Sequence, residues 1–332
     1  MQVRLLGRSG LRVSEICLGA MTFGGTADEA EAGRILDRYV EAGGNFIDTA
    51  SNYTDGASEE IVGRLAAERG RDRFVIATKY TGPIRPGDPN AFGNQRKNLV
   101  QSLDQSLRRL QTDHIDLLWV HIWDATVPVA DLMRALDDQV RAGKVLHVGI
   151  SDAPAWVVAR GNTVAELRGW SPFCAIQVEY SLVERSIERE LAPMADALGL
   201  GVLAWGPQAG GLLTGKYADA SSQAGRLDPD DRRMTDENFR IVEALRAVAD
   251  DLDATPGQVA LAWIRAQQPD AIPIVGARNV GQLDESLASI EVGLPPEHKA
   301  RLDEASAIPL GFPHEMLARF GIGTMRPAPM DA

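Results

Sequence analysis

From about residue 16 onward, short apolar runs rich in β-branched residues alternate with longer stretches whose apolar positions recur every three or four residues. That alternation is the pattern of parallel strands joined by crossover helices. The runs that qualify as strands are 16–18, 45–48, 74–78, 115–120, 145–150, 175–178, 201–204 and 272–274. Helical periodicity fills the gaps at 29–41, 59–68, 98–110, 129–141, 156–166, 188–198, 238–252 and 280–289. Gly43-Gly44 follows one helix as a stop signal, and the stretch from Asp253 to Pro256 reads as a helix start. Ahead of the repeat, 3–6 and 11–13 flank Gly-Arg-Ser-Gly and predict a tight hairpin. The expected fold is therefore of the α/β class: a (β/α)8 TIM barrel with an N-terminal β-hairpin, forming a single domain over 1–332. Two stretches exceed the repeat: a Gly- and Asp-rich connection from Trp205 to about Met234, long enough to carry function, and a tail from Pro295 expected to lie over one end of the barrel.

In such a barrel the βα loops converge on one mouth, so reactive side chains collect where strands end. The second strand ends in Asn-Phe-Ile-Asp, delivering Asp48, and Tyr53 follows in the next loop. The third ends in Lys79 and the fourth in His121. One polar residue at a strand end is ordinarily a cap, but four from adjacent strands define a site. A phenol has a pKa near 10, which a neighbouring ammonium lowers; Lys79 is expected to act so on Tyr53, with Asp48 holding Lys79 charged. A neutral His121 would align a substrate oxygen beside the phenol.

With that pattern in place, the chain resembles the aldo-keto reductases over essentially its whole length, in the branch that also includes the potassium-channel β subunits. Asp48, Tyr53, Lys79 and His121 stand in the order and strand context of that family's catalytic tetrad. Further likeness lies in Gly-Ile-Ser-Asp at 149–152, Gln-Val-Glu-Tyr at 177–180, Gly-Gly-Leu-Leu-Thr-Gly-Lys-Tyr at 210–217 and Pro-Ile-Val-Gly-Ala-Arg at 273–278. The resemblance implies reduction of an aldehyde or ketone with NADPH as cofactor. It places Ser151, Asp152 and Gln177 on the nicotinamide carboxamide and Trp205 against the ring. The first strand end, Gly19, Ala20 and Met21, joins the cofactor set, as does Asp48. Gly206, Pro207, Gln208, Gly210, Gly211 and Lys216 would pass over the pyrophosphate. Gly276 lies in the last of these stretches, Arg278 would pair with the 2′-phosphate, and Gln282, Glu285 and Ser286 would lie near the adenine. The sequence departs from many relatives at Asp152, where Asn is frequent, and at Gly206, Gln208 and Ser286, in place of Ser, Leu and Asn. An aspartate offers acceptors only, so it takes a carboxamide NH2 but donates nothing to the carbonyl.

For substrate contacts, Tyr53 and His121 are joined by Trp123, two residues past His121 in a mouth loop, while Trp119 and Trp156 read as packing. Met21, Phe23 and Trp123 imply a partly apolar pocket; sugars, aromatic aldehydes, ketones and nucleotide-sugars all remain open as substrates. The alternative function is an NADPH-binding regulatory subunit with little turnover. A nucleotide-triphosphate loop is disfavoured, since Gly210 to Lys216 fits Gly-x4-Gly-Lys but Tyr217 replaces the magnesium-binding hydroxyl. No Gly-x-Gly-x-x-Gly opens a helix after an early strand, which argues against a Rossmann dehydrogenase.

Composition narrows the setting. The 332 residues are 45% hydrophobic and 24% charged, an ordinary globular balance, with a net charge of −12 that repels nucleic-acid phosphates and anionic lipid. Arg4, Arg8 and Arg12 alternate with other residues and form no basic patch. Neither a membrane span nor a signal peptide is expected, and the two cysteines, Cys17 and Cys174, sit in apolar runs as reduced thiols, which together predict a cytoplasmic protein. The five histidines lack metal spacing, so no metal is expected.

Overall fold

A computed structural model describes residues 1–332 apart from 84, 86, 218–226, 229, 268–269 and 322–332. The hairpin comprises β1 (Val3–Leu5) and β2 (Arg12–Ser14), antiparallel with Arg4 opposite Val13. The barrel strands are β3 (Cys17–Gly19), β4 (Phe46–Asp48), β5 (Val75–Tyr80), β6 (Ile115–Val120), β7 (Val145–Ser151), β8 (Phe173–Glu179), β9 (Gly201–Trp205) and β10 (Ala271–Gly276). All pairings are parallel, and β10 closes onto β3, so the eight strands form a closed barrel as the sequence predicts. The outer helices are α1 (Glu29–Glu41), α2 (Ala57–Arg69), α3 (Arg96–Arg109), α4 (Val129–Arg141), α5 (Ala155–Arg168), α6 (Leu191–Leu198), α7 (Asp236–Asp251), α8 (Pro256–Arg265), α9 (Val280–Ala288), α10 (Pro296–Ala305) and α11 (His314–Arg319). Among the described residues no helix is long and apolar enough to cross a membrane.

Strand alternation divides the apolar residues into two cores. Phe46, Val75, Ala77, Leu117, Trp119, Ala175, Leu203 and Ile272 point inward and fill the barrel, and Leu6 and Val13 of the hairpin close its lower end. The hairpin turn lies so near the strands that a Cβ on Gly7, which is left-handed at φ 52, would meet the Gly201 nitrogen at 2.5 Å. The other core packs the outward strand faces against the helices. The filled interior leaves the opposite end, where β strands finish, as the only rim whose loops carry the residues singled out above.

α8 is absent from the helices expected by periodicity, although its start was marked. Thr255 and Gln258 form a capping box there with Pro256 at the first position. Its body, Val259 to Ile264, is buried throughout, so it carries no polar stripe for periodicity to detect. The tail likewise contains α10, which packs beside α7 and buries Leu302. Arg185, in the loop after β8, donates to the Asp303 carbonyl at 2.9 Å and the Ser306 hydroxyl at 2.8 Å, and Arg189 donates to the Pro309 carbonyl. The tail is thereby tied to the rim on the β8 side; its last residues, 322–332, lie outside the described residues. Part of the long connection after Trp205, at 218–226 and 229, does too.

Candidate active site

Register brings the expected group together. Asp48 ends β4 and Lys79 lies near the end of β5, while His121 directly follows β6. The Lys79 ammonium donates to Asp48 Oδ2, to the Thr49 carbonyl at 2.9 Å and to the Tyr53 hydroxyl at 3.0 Å. Its three donors are therefore all used, and the side chain is fully buried. Asp48 Oδ1 accepts from Gln177 Nε2 at 2.9 Å, which ties β8 to the same cluster. The His121 ring stands edge-on to Tyr53, with ring centroids 5.9 Å apart.

Electrostatics assign protonation. Burial disfavours the Lys79 charge, but Asp48 and Tyr53 outweigh it and raise its pKa above the ordinary value. For Tyr53 the sequence predicts a lowered pKa, and the structure shows the opposite: burial of the phenol, reinforced by Asp48, outweighs Lys79 and raises it. Tyr53 accordingly keeps its proton at neutral pH. His121 is pushed down to about 3 by burial and by Lys79, so its ring is neutral and retains one N–H donor. The cluster thus holds a protonated phenol, a cation ready to stabilise its conjugate base, and a neutral donor alongside.

Two supporting networks were not legible in the sequence. Tyr53 opens a short 3-10 turn, Tyr53–Gly56, in which Thr54, Asp55 and Gly56 have φ of 47, 55 and 95. Two non-glycine residues in the left-handed region are costly and need outside restraint. Thr54 Oγ1 donates to the Phe23 carbonyl at 2.8 Å, and the Arg109 guanidinium donates to the Ser51 carbonyl at 3.0 Å and to Glu59 at 3.2 Å. Arg109 lies so close beneath Gly56 that a Cβ there would fall 2.4 Å from its Cζ. Glu59, fully buried on α2, also accepts from Thr78 Oγ1 at 2.6 Å. On the His121 side, Thr81 Oγ1 accepts from the His121 backbone N–H, and buried Asn94 donates to Thr81 and to the Ile122 carbonyl. The Asp124 N–H closes this network by donating to Asn94 Oδ1 at 2.6 Å.

The residues expected at the cofactor line the rest of the rim. Gly19 ends β3 opposite Gly276 at the end of β10, and a Cβ on Gly276 would meet only the Gly19 carbonyl, at 3.8 Å. Ala20 is buried and Met21 is 41% exposed. Ser151 ends β7 and is buried, Gln177 belongs to the Asp48 cluster, and Asp152 Oδ1 accepts from Trp205 Nε1 at 3.0 Å. Burial raises the Asp152 pKa, opposed by the hydrogen bonds from Trp205 and Ser151. After Trp205, Gly206 leaves bare backbone, Pro207 is buried, and Gln208 turns away to donate to the Gly257 carbonyl. Gly210 and Gly211 are left-handed at φ 68 and 95, and a Cβ on Gly211 would strike the Lys216 ammonium at 2.7 Å. Arg278 is exposed just before α9, whose N-cap is Asn279. Gln282 accepts from the Arg278 backbone, Glu285 is exposed, and Ser286 is buried with its hydroxyl donating to the Gln282 carbonyl.

These residues fit an anionic dinucleotide. Bare glycine backbone at 206 and 276 leaves room at the rim, and neither Lys216 nor Arg278 has an ion pair among the described residues. The Trp205 indole is held by the Asp152 carboxylate at the end of β9. Of the tryptophans, Trp119 is buried packing as expected, and Trp123 is half-buried in the loop after His121. Trp156 is a correction: it is 61% exposed at the first turn of α5, because Val157 and Val158 take the buried face of that turn and leave Trp156 on the solvent side.

Residues 15–307 match the model of the aldo/keto reductase family. The chain is 37% identical to norsolorinic acid reductase of Aspergillus flavus over 95% of its own length and 83% of that protein's. It is 34% identical to the aryl-alcohol dehydrogenase [NADP(+)] of Phanerodontia chrysosporium, over 95% and 87%. An uncharacterised oxidoreductase of Bacillus subtilis is 37% identical over 96% of this chain and the whole of its own.

Proposed function

The chain belongs to the aldo/keto reductase family, and from that premise we propose that it is an NADPH-dependent reductase of aromatic aldehydes or aryl ketones with Tyr53 as general acid, acting as one barrel domain. The observation that carries this reading is the Lys79 ammonium bridging Asp48 and the Tyr53 hydroxyl, beside a neutral His121. Support for the aromatic class comes from the likeness to an aryl-alcohol dehydrogenase and from the apolar side chains at the rim, Met21, Ile122, Trp123 and Trp205.

When bound, NADPH supplies the hydride. Ser151, Asp152 and Gln177 would hold its carboxamide, Trp205 its ring, and Lys216 and Arg278 its phosphates. The His121 N–H and the Tyr53 hydroxyl would converge on the substrate oxygen, and Tyr53 gives that oxygen its proton as negative charge develops there. Lys79 already lies at 3.0 Å from the phenol oxygen, so the phenolate left behind is paired at once. Asp48 keeps Lys79 charged and aimed. Gln177 fixes the second Asp48 oxygen and so links the proton donor to the carboxamide residues on β7 and β8.

The test is oxidation of NADPH, followed by its fluorescence, with benzaldehydes, aryl ketones, aldoses and nucleotide-sugars. Turnover with aromatic carbonyls well above the sugars is expected. Tight NADPH binding with no turnover on any carbonyl would contradict the reading and favour a nucleotide-binding regulator.

A further inference from the structure

We propose that Asp152 sets the charge preference of the cofactor site, favouring the oxidised, cationic nicotinamide over the reduced, neutral one more than an amide at this position would. The proposal rests on the reading that NADPH is the cofactor and that its ring meets Trp205. Asp152 follows the last residue of β7, and its N–H donates to the Gln177 carbonyl at 3.2 Å, which fixes it beside the residues of the Asp48 cluster. Its φ of 47 is left-handed, a conformation that Asp and Asn tolerate better than most side chains. In that conformation its Oδ1 lies 3.0 Å from Trp205 Nε1. The carboxylate is thereby held against the indole on which the ring is read to stack.

Asp152 has no salt-bridge partner among the described residues. Asp48 and Lys79 cancel as a pair, and Glu179 is neutralised by Arg232 at 2.7 Å. Tyr53 and His121 are neutral at pH 7 for the reasons given above. Among these described groups the Asp152 carboxylate is therefore the one that adds a negative charge beside the indole. Lys216 and Arg278 face phosphates that the two cofactor forms share, so they drop out of the comparison. Only the ring differs, by one positive charge. At the intermediate effective dielectric of a protein surface, a unit charge within a few ångström separates the two forms by about tenfold after screening.

Asp152→Asn isolates the charge, because its Oδ1 still accepts from Trp205 and Asn also adopts the left-handed conformation. Titration calorimetry would give dissociation constants for NADP+ and NADPH with wild type, Asp152→Asn and Trp205→Phe, at low and at high salt. The expected result is that Asp152→Asn weakens NADP+ about tenfold relative to NADPH, a gap that narrows at high salt, while Trp205→Phe leaves the ratio within about twofold. An unchanged ratio in Asp152→Asn overturns the proposal, as does an equal change in Trp205→Phe, which would assign the effect to the indole's position. Wild-type protein that binds neither nucleotide would instead overturn the cofactor reading, and this proposal with it.

Discussion

Four side chains within hydrogen-bonding or ring contact of one another assign the chemistry at the level of single residues: Asp48, Lys79, Tyr53 and His121. A buried ion pair such as Lys79 with Asp48 contributes little net stability, because desolvation offsets most of the attraction. Its retention here is explained by the third ammonium bond, which reaches the phenol. The group was legible in the sequence because a strand end fixes where a side chain lies in a barrel: Asp48, Lys79 and His121 each close a strand run, and Tyr53 lies in the loop directly after the first of them. The sense of the Tyr53 shift was not legible, since it depends on burial that no spacing reveals. The cofactor set divides in the same way. Arg278 came from the resemblance of the stretch 273–278, whereas the turning of Gln208 toward Gly257 depends on where α8 packs. Arg278→Ala is predicted to raise the NADPH dissociation constant about tenfold to a hundredfold and the NADH one far less, as loss of a charge-assisted bond to the 2′-phosphate requires. Equilibrium titration of both nucleotides checks this; parallel losses would place the phosphate elsewhere.

The elements supply the restraint that single residues need. α2 and α3 pack side by side, and from them Glu59 and Arg109 reach under the Tyr53 turn. The acid lies inside a helix whose pattern reads simply as amphipathic, so nothing in the sequence paired it with a residue fifty positions on. Arg109→Ala would leave Glu59 buried without its cation and free the Ser51 carbonyl. We predict a loss of about 3 kcal/mol in urea unfolding together with a fall in kcat of at least about tenfold, while NADPH affinity stays near wild type, because the turn holds the proton donor and not the cofactor. Unchanged kcat in a folded variant would show that the left-handed turn holds itself. Helix legibility followed polarity: α1 and α4, each with a wet face, match the expected spans at both ends, and wholly buried α8 escaped periodicity.

Across the whole molecule, the closed barrel buries the groups at its mouth, and that burial couples the site to stability. His121 is held at about 3, against 6.5 for a free imidazole, so between those values the unfolded chain takes up a proton that the folded chain refuses. Stability is therefore full above about pH 6.5 and falls as the pH drops toward 3, by up to about 1.4 kcal/mol per pH unit for this group. His147 is lowered by burial in the same sense. His121→Asn is predicted to show a shallower decline than wild type in thermal melts between pH 6.5 and 4; identical slopes would mean that other groups dominate. At this scale the sequence was most informative, because eight alternating strands and helices leave few ways to close a sheet.

The proton donor is the centre of the account, and replacing it with Tyr53→Phe tests it most directly. Single-turnover oxidation of bound NADPH by an aromatic aldehyde should slow by about a hundredfold to ten-thousandfold, with the NADPH dissociation constant nearly unchanged. Turnover close to wild type in that variant would contradict the assignment of Tyr53 as general acid.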